Sequence, residues 1–352
     1  DAYNVAVGTD AGGAVTTGTV NTLIGGLAGD ALTSGNSNVA VGYGSLTTDT
    51  LGDRNVAIGV SALESQNFTT TTDVYNVAVG YTAGQSVTTG FQNTLIGGFA
   101  GAALTDADYN IAIGYGALSS DTLGSRSVAI GRTALEVQNF TTATNAYNVA
   151  IGFAAGEVVT TGVENTILGG GAGDALTDAD FNVVLGAFAL TADTLGSKST
   201  AIGAAALASQ NFTTATDSLN TAVGFSAGKE VTTGTKNTFV GGLTGDANTT
   251  GFNNVAMGYD ALGSNTASGA HVAIGYEALK TLNSTTNSSQ FNTAVGTQAG
   301  KAVTTGIRNT FVGSLAGDGT DDGAYNVAVG NNALSANCAN FNTAAGSDAL
   351  AE

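Results

Sequence analysis

The chain has 352 residues, of which 43% are hydrophobic and only 10% are charged, with 52 glycines, no proline and no tryptophan. Such a composition excludes an intrinsically disordered chain, and no apolar run approaches the ~18 residues that a membrane-spanning helix needs. The 27 acidic and 9 basic residues leave a net charge of −18. That charge disfavours nucleic acid and anionic membranes as partners, because both are bound largely through Lys and Arg.

The single cysteine, Cys338, cannot form an intramolecular disulfide, so cysteine usage does not indicate a redox compartment. The chain opens at Asp1, without an initiator Met and already inside a repeated pattern, and no signal peptide is recognisable. We interpret the chain as a processed product or as part of a longer fibre.

A five-residue motif, Asn-Val-Ala-Val-Gly at residues 4–8, is present in twenty variant copies along the chain. The spacing between successive copies follows the order 17-17-17-21, and this order defines a block that recurs until a final, shorter step of 16. Units this short cannot fold alone and must stack. The repeat therefore predicts an all-β, parallel β-solenoid (β-roll) of about twenty coils. We treat residues 1–352 as one continuous array of blocks, at 1–72, 73–144, 145–216, 217–288 and 289–352.

Positions within a coil are numbered here from the motif asparagine, which is position 0. Position 4 is glycine in all twenty coils, which indicates a positive φ or a close approach to the neighbouring coil. Position 1 is always β-branched and position 3 always apolar, so a short strand ends at this glycine. We expect a second short strand around position 7, and ladders of stacked residues at positions 0 and 4. In the first block these are Asn4, Asn21, Asn38 and Asn55, and Gly8, Gly25, Gly42 and Gly59.

The predicted strand is apolar on both faces. Val5 and Val7 share one face, yet Ala6 on the other face is apolar too, and it is replaced by Leu23 in the next coil. Strands that are apolar on both faces are covered on both faces. Since no helix is predicted to cover the second face, we expect position 2 to be covered by another copy of the chain.

These residues resemble a known family. Asn4 to Gly8, Asn55 to Gly59 and Asn148 to Gly152, each followed by a short alanine-containing segment, are similar to the head repeats of trimeric autotransporter adhesins, the YadA-like head. The resemblance extends over essentially the whole chain. It implies a parallel β-roll, three chains packed side by side, and exposure on a bacterial surface for attachment; related repeats are also typical of phage tail fibres. The coils here are longer than in that family, and no coiled-coil stalk or membrane anchor is present.

Groups capable of catalysis are scarce, and we expect no enzymatic activity and no cofactor. His271 is the only histidine, but it stands at position 0, where it replaces the ladder asparagine. Cys338 stands at position 12, where threonine is usual, and is best interpreted as a small structural residue.

Calcium binding is the main alternative, because Gly25 to Leu32 superficially resembles the glycine-aspartate repeats of calcium β-rolls. Asp30 lacks the companion oxygens that calcium needs, and its equivalent in the next block is Ala102. We therefore predict a turn aspartate and no metal site. Paired threonines such as Thr16 and Thr17 recur about once per block, too sparsely for an ice-binding face.

Two sets of polar residues recur once in each of the first three blocks. Asp49, Asp121 and Asp193, together with Arg54, Arg126 and Lys198, are interpreted as a solvated surface. The longest coil of each of the first four blocks contains a sequon, at Asn67, Asn139, Asn211 and Asn283. Packing and turn formation explain these segments, but their Ser/Thr-rich loops also remain candidates for glycosylation or for partner binding.

The sequence as a whole favours an extracellular structural or adhesive fibre, at a cell surface or in a virion tail fibre. Its expected partners are itself, as a homotrimer or filament, and a glycan or protein of a host or matrix surface. A passive self-assembling filament or a phage tail-fibre shaft is the alternative.

Overall fold

The computed structural model describes residues 2–352, which are all-β: no helix forms among them. The described residues accordingly contain no helix of the length and hydrophobicity needed to cross a membrane. The chain divides into two compact units, Asp1–Asp178 and Ala179–Glu352. Each unit contains ten three-residue main strands, one for each copy of the motif, and a few two-residue side strands.

The first unit contains fourteen strands: β1 (Val5–Val7), β2 (Thr22–Ile24), β3 (Val39–Val41), β4 (Gly52–Asp53), β5 (Val56–Ile58), β6 (Thr72–Asp73), β7 (Val77–Val79), β8 (Thr94–Ile96), β9 (Ile111–Ile113), β10 (Gly124–Ser125), β11 (Val128–Ile130), β12 (Thr144–Asn145), β13 (Val149–Ile151) and β14 (Thr166–Leu168). The second unit contains twelve: β15 (Val183–Leu185), β16 (Gly196–Ser197), β17 (Thr200–Ile202), β18 (Thr216–Asp217), β19 (Thr221–Val223), β20 (Thr238–Val240), β21 (Val255–Met257), β22 (Val272–Ile274), β23 (Thr293–Val295), β24 (Thr310–Val312), β25 (Val327–Val329) and β26 (Thr343–Ala345).

Neighbouring main strands within a unit pair in parallel, with equivalent residues of successive coils opposite one another. Val5 pairs with Thr22 across one of the shorter coils, and Val56 pairs with Val77 across the longest coil of the first block. The side strands form parallel pairs of their own, β4 with β6, β10 with β12, and β16 with β18. The predicted parallel β-solenoid of about twenty coils is therefore confirmed.

The glycine at position 4 is required for two reasons. All twenty of these glycines have φ between 124° and 145°, a region that L-residues avoid. A β carbon on Gly97 would also lie 2.5 Å from the carbonyl oxygen of Gly114 in the next coil. Gly98, one residue later, has room for a β carbon at 3.5 Å from the Tyr115 ring, so the requirement does not extend to position 5.

The prediction of a second strand around position 7 is wrong for the described residues, in which this segment forms turns. In the coil that follows β5, Ser61 at position 6 and Leu63 at position 8 have φ of 56° and 50°. These left-handed values bend the chain twice within three residues, so no extended strand can form. The Leu63 N–H still donates to the Ala83 carbonyl of the next coil at 3.1 Å. The turns are thus held by coil-to-coil hydrogen bonds without being strands.

The core lies on the face of the main strands that contains position 2. Ala40, Ala78 and Leu95 are fully buried within their own unit, whereas Ile96 is 37% exposed. The assignment of faces made from the sequence was therefore inverted: position 2 is covered by the chain's own turns, and positions 1 and 3 face outward. The coil is narrow: the Ala6 β carbon lies 4.0 Å from the place where a β carbon of Gly12 would be.

Side-chain volumes in this narrow core compensate between positions 2 and 8. Leu23 lies against both Gly12 and Gly29, whose added β carbons would be 2.7 and 2.8 Å from its methyl groups. In the next two coils position 2 is alanine, and position 8 is occupied by the buried Leu46 and Leu63. The glycine-leucine alternation at position 8 therefore keeps the interior filled at constant volume.

Candidate functional site

The motif asparagines form buried ladders that tie each coil to the next. Asn21 donates from Nδ2 to the Gly35 carbonyl at 2.8 Å, and its Oδ1 accepts the Asn38 N–H at 2.9 Å. Asn4 makes the same contacts at one end of the first unit. Asn38 likewise donates to Gly52 and accepts from Asn55. The ladder runs mainly from side chain to backbone, and it satisfies turn groups that water cannot reach.

His271 substitutes for asparagine in the ladder of the second unit. Its backbone N–H donates to Asn254 Oδ1 at 3.1 Å, and its Nε2 lies 2.9 Å from Ser268 Oγ. The ring is fully buried, and burial lowers the pKa of His271 to about 4. A histidine held neutral inside the core has no access to a substrate, so its position is structural.

The aspartates Asp49, Asp121 and Asp193, interpreted above as solvated, are fully buried. Asp49 Oδ1 accepts the N–H groups of Gly52 and Phe68, each at 3.1 Å. Its Oδ2 accepts from Gln66 Nε2 at 2.6 Å. Burial raises the pKa of Asp49 against the lowering effect of these hydrogen bonds. The carboxylate is drawn inside because it satisfies donors of two coils at the start of the longest turn.

A covarying pair in the sequence marks this buried group. Glutamine stands one coil after the aspartate in three blocks, as Gln66, Gln138 and Gln210. In the fourth block both partners change together, to Asn265 and Leu282. A carboxylate in solvent does not need a glutamine of the next coil as a hydrogen-bond donor. The joint change of the two residues is therefore the feature of the sequence that indicates a buried aspartate.

The basic residues of the same repeat do lie at the surface. Arg54 pairs with Asp73 and stands over the Tyr75 ring, with 5.6 Å from its Cζ to the ring centroid. Arg126 lies over Tyr109 at 4.8 Å, and Lys198 Nζ is 2.5 Å from Asp217 Oδ2.

The sequon asparagines lie at the outer edge of the solenoid turns. Asn139, Asn211 and Asn283 are exposed and Asn67 is partly exposed. Each accepts a hydrogen bond at Oδ1 from a threonine of the preceding coil, such as Thr122 to Asn139 at 3.1 Å. Phe140, the residue that follows, is buried, while Thr141 and Thr142 are exposed. The turn thus has a packing role on one side and an accessible Ser/Thr surface on the other.

Asp30, the residue that prompted the calcium alternative, accepts a hydrogen bond from the Thr47 hydroxyl of the next coil. Within residues 2–352, no group of three or more His, Cys, Asp or Glu side chains is placed to hold a metal ion. Cys338 is a partly exposed free thiol, 3.3 Å from the Thr320 hydroxyl.

The most unusual surface is the outward side of the main strands, which we call the strand face: the residues at positions 1 and 3 of each coil. In the first unit it includes Ile96, Ile111 and Ile151, each 37% exposed, and in the second Val183 at 41% and Met257 at 44%. None of the ten main strands in either unit contains a charged residue. In a chain of net charge −18, the motifs of each unit thus form an uncharged face, with Val, Ile or Thr at position 1 and an apolar residue at position 3.

Aromatic side chains border the strand face. Position 5, just after the strand, carries the exposed Tyr43, Tyr81, Tyr115 and Phe153 in alternate coils of the first unit. The residue just before position 0 is also often aromatic and exposed, for example Tyr75, Tyr109 and Tyr147. Exposed aromatic residues with Arg beside them are typical of protein interfaces.

No protein-family model matches the chain, and no curated protein sequence matches it.

Proposed function

We propose that this chain is an extracellular structural and adhesive fibre protein, which self-associates as a homotrimer through the strand face and has no catalytic activity. The observation that carries the proposal is the exposed strand face, uncharged and rich in Val and Ile in both units. The resemblance to trimeric autotransporter head repeats supports three copies and a location at a cell surface or in a virion tail fibre.

The energetics of the strand face favour association. Each half-exposed Val or Ile gains about 1 kcal/mol when its remaining apolar surface is buried, and each chain contributes many such residues. Association through the strand face buries no unpaired charge, because the main strands contain no charged residue. The exposed acidic side chains remain on other surfaces, where their repulsion keeps the assembly soluble.

Light scattering on the purified chain tests the assembly. We expect a mass three times the 34.4 kDa of one chain. The double variant Ile96→Asp with Ile151→Asp should give monomers that retain the β signal, because it places charges in the contact without entering the core. Ala143→Asp, in an exposed loop, is the matched control and should remain trimeric. A wild-type monomer, or an undiminished mass in the double variant, would contradict the proposed interface.

A second measurement separates an adhesive fibre from a passive filament. The assembled protein is presented to immobilised glycans and matrix proteins, and we expect saturable capture by at least one class of surface. Capture of none, with the trimer intact, would leave the structural filament as the function.

A further inference from the structure

The first unit contains a surface cavity of about 290 Å³ beside the aromatic border of the strand face. Three successive coils form it, and the residues around it are Phe99, Ala102, Tyr115, Gly116, Ser119 and Glu136. Two aromatic rings, the Ser119 hydroxyl and the Glu136 carboxylate therefore line a space the size of a small organic group.

The aromatic walls are rigidly placed. The rings of Phe99 and Tyr115 meet edge to face, with centroids 5.6 Å apart and an interplanar angle of 78°. Phe99 contacts Tyr81 on its other side at 5.4 Å. Tyr115 is nevertheless 55% exposed and Phe99 38% exposed. The rings thus hold one another in place while ring surface remains open to the cavity.

The carboxylate of Glu136 reaches this cavity from the next coil, where it lies close to Gly116. Glu136 Oε1 lies 3.6 Å from the place where a β carbon of Gly116 would be. No Lys or Arg forms a salt bridge with Glu136 among the described residues. The nearby Arg132 instead lies over the Phe153 ring at 5.6 Å.

The surroundings of Glu136 are electronegative. Glu157 occupies the equivalent position of the following coil. Burial, the charges of Glu136 and Asp174 and a hydrogen bond with the Glu136 carboxyl raise the pKa of the Glu157 carboxyl, against the lowering effect of the Arg132 charge. A cation at the cavity would relieve this repulsion, and the faces of Phe99 and Tyr115 attract cations as well.

The second unit contains positions equivalent to those that line the cavity. Two blocks later, Tyr259 replaces Tyr115 and Lys280 replaces Glu136. The Lys280 ammonium lies 2.7 Å from Asp260 Oδ2 and 2.7 Å from Glu277 Oε1. There the chain supplies its own ammonium group to carboxylates of the same unit, whereas the first unit has the two rings and the Glu136 carboxylate without a lysine at this register.

We propose that the cavity formed by Phe99, Tyr115 and Glu136 binds an organic ammonium group, such as the amine of a lysine side chain or a methylated amine presented by a partner. The rings stack on the cation and its alkyl stem, and the carboxylate neutralises its charge. The site lies within one unit of one chain, so no second copy contributes a residue to it.

Ligand-observed NMR on the full chain at constant ionic strength tests the site. The probes are n-butylammonium, which mimics a lysine side chain, and tetramethylammonium, which mimics a methylated amine; cellobiose is the uncharged comparison. We expect saturable binding of at least one cation, with n-butylammonium preferred if a primary amine is the ligand and tetramethylammonium if a methylated amine is.

Two variants should lose this binding. Glu136→Gln should weaken it at least fivefold, and Glu136→Lys should abolish it by supplying the ammonium internally. Glu64→Gln is the matched control and should change it less than twofold: Glu64 stands one block earlier at the same register, but its carboxylate already accepts a hydrogen bond from Gln85 at 2.6 Å.

The proposal is overturned if neither cation binds, or if binding is unchanged in Glu136→Gln. Binding of cellobiose that survives Glu136→Gln would also overturn it, because the two rings would then be a sugar-stacking surface. Far-ultraviolet circular dichroism of each variant verifies that the β fold is retained.

Discussion

His271 shows how a single residue adapts to a ladder built for asparagine. It keeps the backbone hydrogen bond to Asn254 and adds the contact to Ser268, while Nδ1 has no hydrogen-bond partner. An asparagine at this position would form its hydrogen bonds without a titratable group. The histidine therefore makes the stability of this coil depend on pH.

We predict that the fold loses stability as the pH falls from about 6.5 to about 4. Burial holds the pKa of His271 at about 4 in the folded chain, against 6.5 when unfolded, so the unfolded state takes up a proton first. The loss should be about 3 kcal/mol at pH 4 and should level off below it. Urea unfolding across this range, compared with His271→Asn, isolates the contribution. Parallel pH profiles for the two proteins would contradict it.

At the scale of the element, the longest turn of a block is organised by a chain of buried polar groups. Asp121 accepts from Gln138 Nε2 at 2.6 Å, and Gln138 Oε1 accepts from Asn148 Nδ2 at 2.9 Å. In the fourth block the equivalent residues satisfy the turn differently. Asn265 donates to the Ser268 carbonyl at 2.9 Å, and Leu282 is buried where the other blocks have glutamine.

We predict that Gln138→Leu alone destabilises the chain by about 3 kcal/mol, because a buried carboxylate loses its neighbour. Adding Asp121→Asn should restore more than half of that loss, since the pair then matches Asn265 and Leu282. Urea unfolding of the two single variants and the double variant forms a complete double-mutant cycle. Simple additivity of the two single effects would show that the groups are not coupled.

At the scale of the whole molecule, coil-to-coil hydrogen bonds and a filled apolar interior hold each unit together. Asp30 acts within this scheme by accepting the Thr47 hydroxyl of the next coil. Leu23 at position 2 and Leu46 at position 8 fill the interior of successive coils.

We predict that removing divalent ions leaves the fold intact. Dialysis against a chelator should change neither the far-ultraviolet circular dichroism nor the melting temperature, because the turn aspartates lack the six to eight oxygens that calcium requires. Added calcium should likewise leave the melting temperature unchanged. Collapse of the β signal on chelation, with recovery on adding calcium, would restore the calcium β-roll as the better interpretation.

The repeat in the sequence was sufficient to predict the solenoid, its parallel strands, the glycine turn and the stacking of Asn4 on Asn21. These features depend on local geometry: a glycine present in every coil means a backbone that only glycine tolerates. Identical residues at a fixed period occupy identical places in a stack.

The tertiary structure decided which face is inside, and so where a partner can bind. Ala78 and its neighbours Val77 and Val79 are all apolar, so the alternation that normally distinguishes core from surface is absent. Only the left-handed turns at positions 6 and 8, which fold the chain back over position 2, determine that Ala78 is buried. The same closure draws Asp49 into the interior and brings Phe99, Tyr115 and Glu136 from three coils to one cavity. These positions depend on how each coil closes and how successive coils stack. The residue pattern along a single coil contains no information about the distances between side chains of different coils.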